Sequence, residues 1–202
     1  MKATMNRRRF RAPWLFALAL LLSDSPAEAH LVTTGLGPVY DGISHFLLSP
    51  EDLIPVFVLA LLGGQCGPDT ARRVMFVLPT AWLAGGLAGF ATAAAPPPEP
   101  TWLVFVFLGA LVAAYLRPPQ AVVMAIACGL GFFNGFISGS GMSSAGAGIA
   151  SLIGVAATVF VVAALVAAAV VAFTWPPAKI AFRVLGSWTT ATGMLMLGWS
   201  LR

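Results

Sequence analysis

The chain has 202 residues, of which 59% are hydrophobic and only 9% charged. A soluble domain carries about a quarter charged residues, so there is too little polar surface here to wrap a water-soluble globule, and lipid must act as solvent. The net charge of +4 does not mark a nucleic-acid binder, because Lys2, Arg7, Arg8, Arg9 and Arg11 crowd the extreme N-terminus ahead of a short apolar stretch.

That stretch, Trp14 to Leu22, is followed by a polar segment ending in Ala27-Glu28-Ala29. A basic start, a short apolar middle and a small-residue ending describe a secretory signal peptide over residues 1–29, cleaved after Ala29. The apolar middle is too short to cross a bilayer, which takes about 20 residues. The mature chain, 30–202, then begins on the periplasmic side of a bacterial inner membrane. A short amphipathic piece, Pro38 to Leu48, leads into six apolar blocks: Pro50–Gly64, Val74–Ala95, Thr101–Leu116, Gln120–Ile137, Gly146–Phe173 and Ile180–Leu201. They lack the period-two alternation of barrel strands, and backbone groups in lipid must pair within their own segment. The expected fold is all-α, a multi-pass membrane bundle of about six transmembrane helices.

Basic residues orient it. Arg72, Arg73, Arg117, Lys179 and Arg183 fall on the connections after the first, third and fifth blocks, whereas the other side holds Glu99 and the terminal Arg202. Positive connections stay in the cytoplasm, which again puts the mature N-terminus in the periplasm. Gly85 and Gly89 in the second block, and Gly131, Gly135 and Gly139 in the fourth, are spaced by four and so share a helix face, a pattern for close helix packing. Cys66 and Cys128 have no metal or redox spacing and read as small buried apolar residues.

Beyond the signal peptide the acids and histidines reduce to His30, Asp41, His45, Glu51, Asp52, Asp69 and Glu99, and most of them lie between His30 and Asp52. Asp41 and His45 are four apart and share a face on a helix, where they can hold a divalent cation or simply pair with each other. On one continuous helix Asp52 would join them, but Pro50 intervenes. Ser49-Pro50-Glu51-Asp52 also has the form of a helix start, with a serine cap, proline first and acids in the first turn. His30, once first in the chain, offers an amine and an imidazole together, a chelate suited to Cu(II) or Ni(II). Asn134 is an amide inside an apolar span, either helix glue or part of a path. Thr80, Ser187, Thr189, Thr190 and Thr192 either line a polar path or bond back to their own helices. Hydrolase, zinc-protease and nucleotide-binding motifs are missing, so an enzyme is not expected.

The stretches Ala29-His30-Leu31-Val32-Thr33-Thr34-Gly35 and Gly42-Ile43-Ser44-His45-Phe46-Leu47-Leu48-Ser49-Pro50-Glu51-Asp52-Leu53 resemble the HupE/UreJ family of membrane proteins. The resemblance implies a signal peptide, six or seven helices, and association with nickel or cobalt uptake for hydrogenase and urease maturation. The family's opening motif has the form His-x-x-x-Gly-x-Asp-His-Leu. Its first histidine matches His45, its glycine Ser49, its aspartate Glu51 and its second histidine Asp52. A later His-Gly matches Asn134-Gly135. Two imidazoles are thus replaced by a carboxylate and an amide, which shifts the site toward harder, oxygen-preferring cations or away from metal altogether. The reading is a metal-ion permease or metal-handling membrane protein, with His30, Asp41, His45, Glu51 and Asp52 at a periplasmic entrance and Asn134 along the path. No permanently bound cofactor is expected; a divalent metal ion is the cargo. The expected partners are the lipid bilayer and metalloenzyme maturation proteins. The alternative is a non-transporting accessory protein for a metalloenzyme system, in which the acids cap a helix and offer a docking surface.

Overall fold

A computed structural model of the chain describes residues 34–92 and 101–201; the signal segment, His30 and the proline-rich hinge around Glu99 lie outside the described residues. The described part is all-helical: α1 (Pro38–Leu48), α2 (Pro50–Gln65), α3 (Pro68–Thr92), α4 (Thr101–Ala113), α5 (Gln120–Ser144), α6 (Ile149–Ala172) and α7 (Pro176–Ser200). It is a helical membrane bundle.

Proline sets several of the starts. α1, α2 and α7 each open with proline in the first turn, where a missing N–H costs nothing. Between α1 and α2 only Ser49 intervenes, in an extended conformation, and the two limbs bend by 76°. At 16 residues, α2 rises about 24 Å, less than the ~30 Å of a hydrocarbon core. α1 and α2 together make one broken span. The helices α3, α5 and α6 are each long and apolar enough to cross alone, so three spans, or four with the bent pair, meet that test among the described residues. Of the other expected spans, α4 has 13 residues. It stops earlier than expected, because Tyr115 takes a left-handed φ of 56° just beyond it. α7 is long but carries Lys179, Arg183 and several hydroxyl residues.

The axis of the bundle is α2. Its residues from Pro55 to Gln65 are buried apart from Phe57, enclosed chiefly by α6, α4 and α3. The other helices pair around it through glycines. α3 and α5 run parallel: a Cβ on Gly85 or Gly89 would strike the carbonyls of Phe132 or Phe136, and one on Gly135 or Gly139 those of Trp82 or Gly86. The four-residue glycine spacing therefore does mark a seam. It also carries α5 past Ile137 to Ser144, since the Gly/Ser-rich stretch expected to be a loop packs on α3, with Ser140 Oγ donating to the carbonyls of Phe136 (2.9 Å) and Gly89 (3.4 Å). α4 and α7 pair antiparallel through Gly109, Gly186 and Gly193, and α1 crosses α6 where Gly42 meets the Ser151 carbonyl and Gly154 that of Val39. Lipid tails are as apolar as leucine, so such seams hold by close packing and not by expelling water.

The helix hydroxyls are turned inward on their own backbones. Thr80, Thr158, Thr189, Thr190 and Thr192 each donate to a carbonyl three or four residues back. The cysteines also differ from expectation: Cys66 is only half-buried and Cys128 is exposed.

Candidate functional site

The polar residues singled out in the sequence form a mouth at the α1–α2 break. Phe46, fully buried, sets its ring edge-on to Trp82 at 5.6 Å and 80°, and this contact with α3 anchors the inner end of α1. The preceding turn carries His45, half-buried and close enough to Glu51 for the two charges to interact across the bend. Glu51 is exposed and Asp52 half-buried, both in the first turn of α2, where the helix dipole favours negative charge. Ser49 holds the cap position as expected, yet its side chain makes no capping bond. Its carbonyl instead accepts from the N–H groups of Asp52 (3.1 Å) and Leu53 (3.0 Å). Pro55 adds a further opening: it has no N–H to give the Glu51 carbonyl four residues back. One backbone oxygen at the mouth is thereby left without its intrahelical donor.

The structure narrows the set drawn from sequence. Asp41 and His45 are both on α1, but the Asp41 carboxylate accepts from the Thr34 N–H at 2.6 Å and the Thr34 hydroxyl at 2.7 Å. It tethers the segment before α1 and is not paired with His45. The 76° bend takes Asp52 off the face it would share with Asp41 and His45 on a straight helix. His30 lies outside the described residues. Asn134, 9% exposed, lines an apolar cavity of about 470 Å³ between α4 and α5, with Leu103, Phe107, Leu130 and Phe133 among its walls. Among the described residues, no three His, Cys, Asp or Glu side chains gather closely enough to hold a metal ion. What the mouth offers is a half-buried imidazole, two carboxylates and a backbone oxygen around a helix break, groups suited to passing contact with a hydrated divalent cation.

Against known proteins, the family model described as HupE / UreJ protein matches residues 18–196. The chain belongs to the HupE/UreJ family. No curated protein matches it, and no solved structure does. In this HupE/UreJ chain the residues that resemble the family's opening motif fall on the α1–α2 break itself: His45 on one limb, Ser49 at the corner, Glu51 and Asp52 on the other.

A second polar region went unread in the sequence. At the opposite end of α2 a cavity of about 220 Å³ is lined by Gln65, Cys66, Tyr115, Arg117 and Lys179 among others. Gln65 sits in Gly63-Gly64-Gln65-Cys66-Gly67-Pro68, which reads as the end of a span and the start of a turn. The one available signal was an amide placed before the turn, inside the apolar segment.

Proposed function

We propose that this HupE/UreJ protein passes a divalent metal ion across the bacterial inner membrane, with the α1–α2 break as its periplasmic entrance. The observation that carries the reading is the position of His45, Glu51 and Asp52 at the corner of a broken span. Discontinuous spans put helix ends and unpaired backbone oxygens at membrane depth, and ion sites are built there. Membership in a family associated with nickel or cobalt uptake and with urease or hydrogenase accessory roles supports the same class, as transport or accessory work and not catalysis. Arg72, Arg73, Arg117, Lys179 and Arg183 all belong to the Gln65 end of the bundle, which makes that end cytoplasmic by charge. His30, if it begins the mature chain, would add an amine and an imidazole outside the mouth. Carboxylates and a carbonyl alongside a single imidazole suit an ion harder than the nickel expected of a two-histidine motif.

One observation favours the accessory reading instead: the span hydroxyls are bonded to their own helices, which leaves an ion no row of ready ligands. Radiotracer uptake in cells separates the two. The His45→Ala/Asp52→Ala double variant should bring uptake of Ni(II), Co(II), Zn(II) or Cu(II) to background at unchanged membrane expression. Uptake of all four equal to that of the unaltered protein would sink the permease.

A further inference from the structure

We propose that the cavity at the Gln65 end of α2 is a binding site for a phosphate-type oxyanion that brings its own hydroxyl proton, either free hydrogen phosphate or the phosphate and hydroxyls of an inner-leaflet lipid headgroup. The inference rests on how three features combine. First, the cavity is charged one way: Arg117 and Lys179 line it, and no carboxylate is among its lining residues. The nearest acid along the chain, Asp69, is exposed in the first turn of α3 and takes no part in the lining. About 220 Å³ is room for about seven waters at ~30 Å³ each, enough for a phosphate group with a little to spare.

Second, Gln65 is left half-satisfied inside it. The residue is 4% exposed; its Nε2 donates to the Val112 carbonyl at 3.4 Å, while its Oε1 is buried with no partner. A buried acceptor without a donor is costly and uncommon, and it calls for a group that supplies one. Third, the α4–α5 connection is held in an unfavourable shape. Tyr115 adopts a left-handed φ of 56°, which a residue with a bulky side chain rarely does. In that conformation Arg117 lies over the Tyr115 ring at 5.0 Å and donates to its hydroxyl oxygen at 2.9 Å, leaving the phenolic proton uncommitted. Arg183, close by, donates to the Ala113 carbonyl at 2.8 Å and steadies the end of α4.

Positive charge at a cytoplasmic end is the general rule for membrane proteins and explains Arg117 and Lys179 alone. It does not explain an orphaned amide oxygen on a residue that lines the same cavity, nor a strained tyrosine beneath a stacked guanidinium. Cations ask for a negative ligand, and Gln65 Oε1 would repel one that had no proton to offer. Hydrogen phosphate satisfies both at neutral pH. Sulfate, fully deprotonated, satisfies only the first. The Cys66 thiol beside them donates weakly to the Pro118 carbonyl at 3.9 Å, and burial pushes its pKa up, so it adds no negative charge.

The test uses the full chain purified in detergent without phosphate, its thermal unfolding followed as inorganic phosphate or sulfate is titrated. A ligand of the folded state raises the midpoint with concentration. Phosphate should do so, with sulfate weaker by at least about tenfold. Arg117→Gln/Lys179→Gln should abolish the shift, and Gln65→Leu should bring phosphate and sulfate to the same weak effect. In parallel, nanodiscs of phosphatidylcholine are compared with nanodiscs containing phosphatidylglycerol. A shift confined to the latter, and lost in the same variants, assigns the site to the lipid; a shift with inorganic phosphate assigns it to the free ion. Should the double variant fail to fold, Gln65→Leu still decides, because it removes an unpartnered group and leaves the cations in place. No shift with either probe, a shift that survives the substitutions, or equal shifts with phosphate and sulfate in the unaltered protein would overturn the proposal.

Discussion

At its N-terminal end α2 starts behind a 76° break, with Glu51 and Asp52 in its first turn and the charge of Glu51 felt by His45 on the other limb. At its other end a buried Gln65 lines a cavity together with Arg117, Lys179 and Tyr115, beside the turn into α3. Much of this contrast is ordinary electrostatics. Acids favour the N-terminus of a helix and cations its C-terminus, and membrane topology adds cations on the cytoplasmic side. Once those effects are set aside, one residue at each end is left over: His45, a half-buried imidazole within reach of the Glu51 charge, and Gln65, an amide with an unmet oxygen. General charge placement requires neither of these two residues, and both proposed sites are built on them.

The contrast is broken most severely by moving α1. A Cβ at Gly42 meets the Ser151 carbonyl, so Gly42→Leu should shift α1 off α6, cost about 1–3 kcal/mol by overpacking, and carry His45 away from Glu51. Its unfolding midpoint and its metal uptake should fall together; normal uptake would mean that the mouth does not depend on the seating of α1. At the other end, Gln65→Leu without added phosphate should stabilise the protein by about 1 kcal/mol, a midpoint rise of ~2–4 °C, since a buried unpaired oxygen is removed. A lower midpoint would show that the amide is already satisfied.

A smaller effect concerns Cys66. Burial raises its pKa, and the Arg117 charge works against that rise. In Arg117→Gln, on a Cys128→Ala background, burial acts unopposed, so less thiolate is present at pH 8 and maleimide labelling should slow by about two- to fivefold. Faster labelling would instead identify Arg117 as a steric shield. The smallest effect is expected of Asp41→Asn. Its carboxylate is partly buried and engaged with Thr34, so uptake should change by less than about twofold. A large loss would return Asp41 to the entrance and undo the narrowing to His45, Glu51 and Asp52.

The sequence by itself determined that lipid is the solvent, where most of the helices run to within a few residues, and that glycines spaced by four form a seam. Composition and local periodicity carry those facts, because a backbone in lipid has to pair with its own segment. The exceptions were local rules overruled at a distance: the Gly/Ser stretch after Ile137 stays helical because Gly139 and Ser140 meet α3, and α4 ends early at a left-handed Tyr115. Only the tertiary structure decided which polar residues face one another. The bend at Ser49 parts Asp52 from Asp41, Thr34 claims the Asp41 carboxylate, and Asn134 turns to an apolar cavity. Gln65 meets its surroundings through Val112 and Cys66 through Pro118, partners on another helix or connection. Such contacts depend on how helices rotate and cross, set here by where glycines let backbones touch, and no local pattern along the chain encodes that angle.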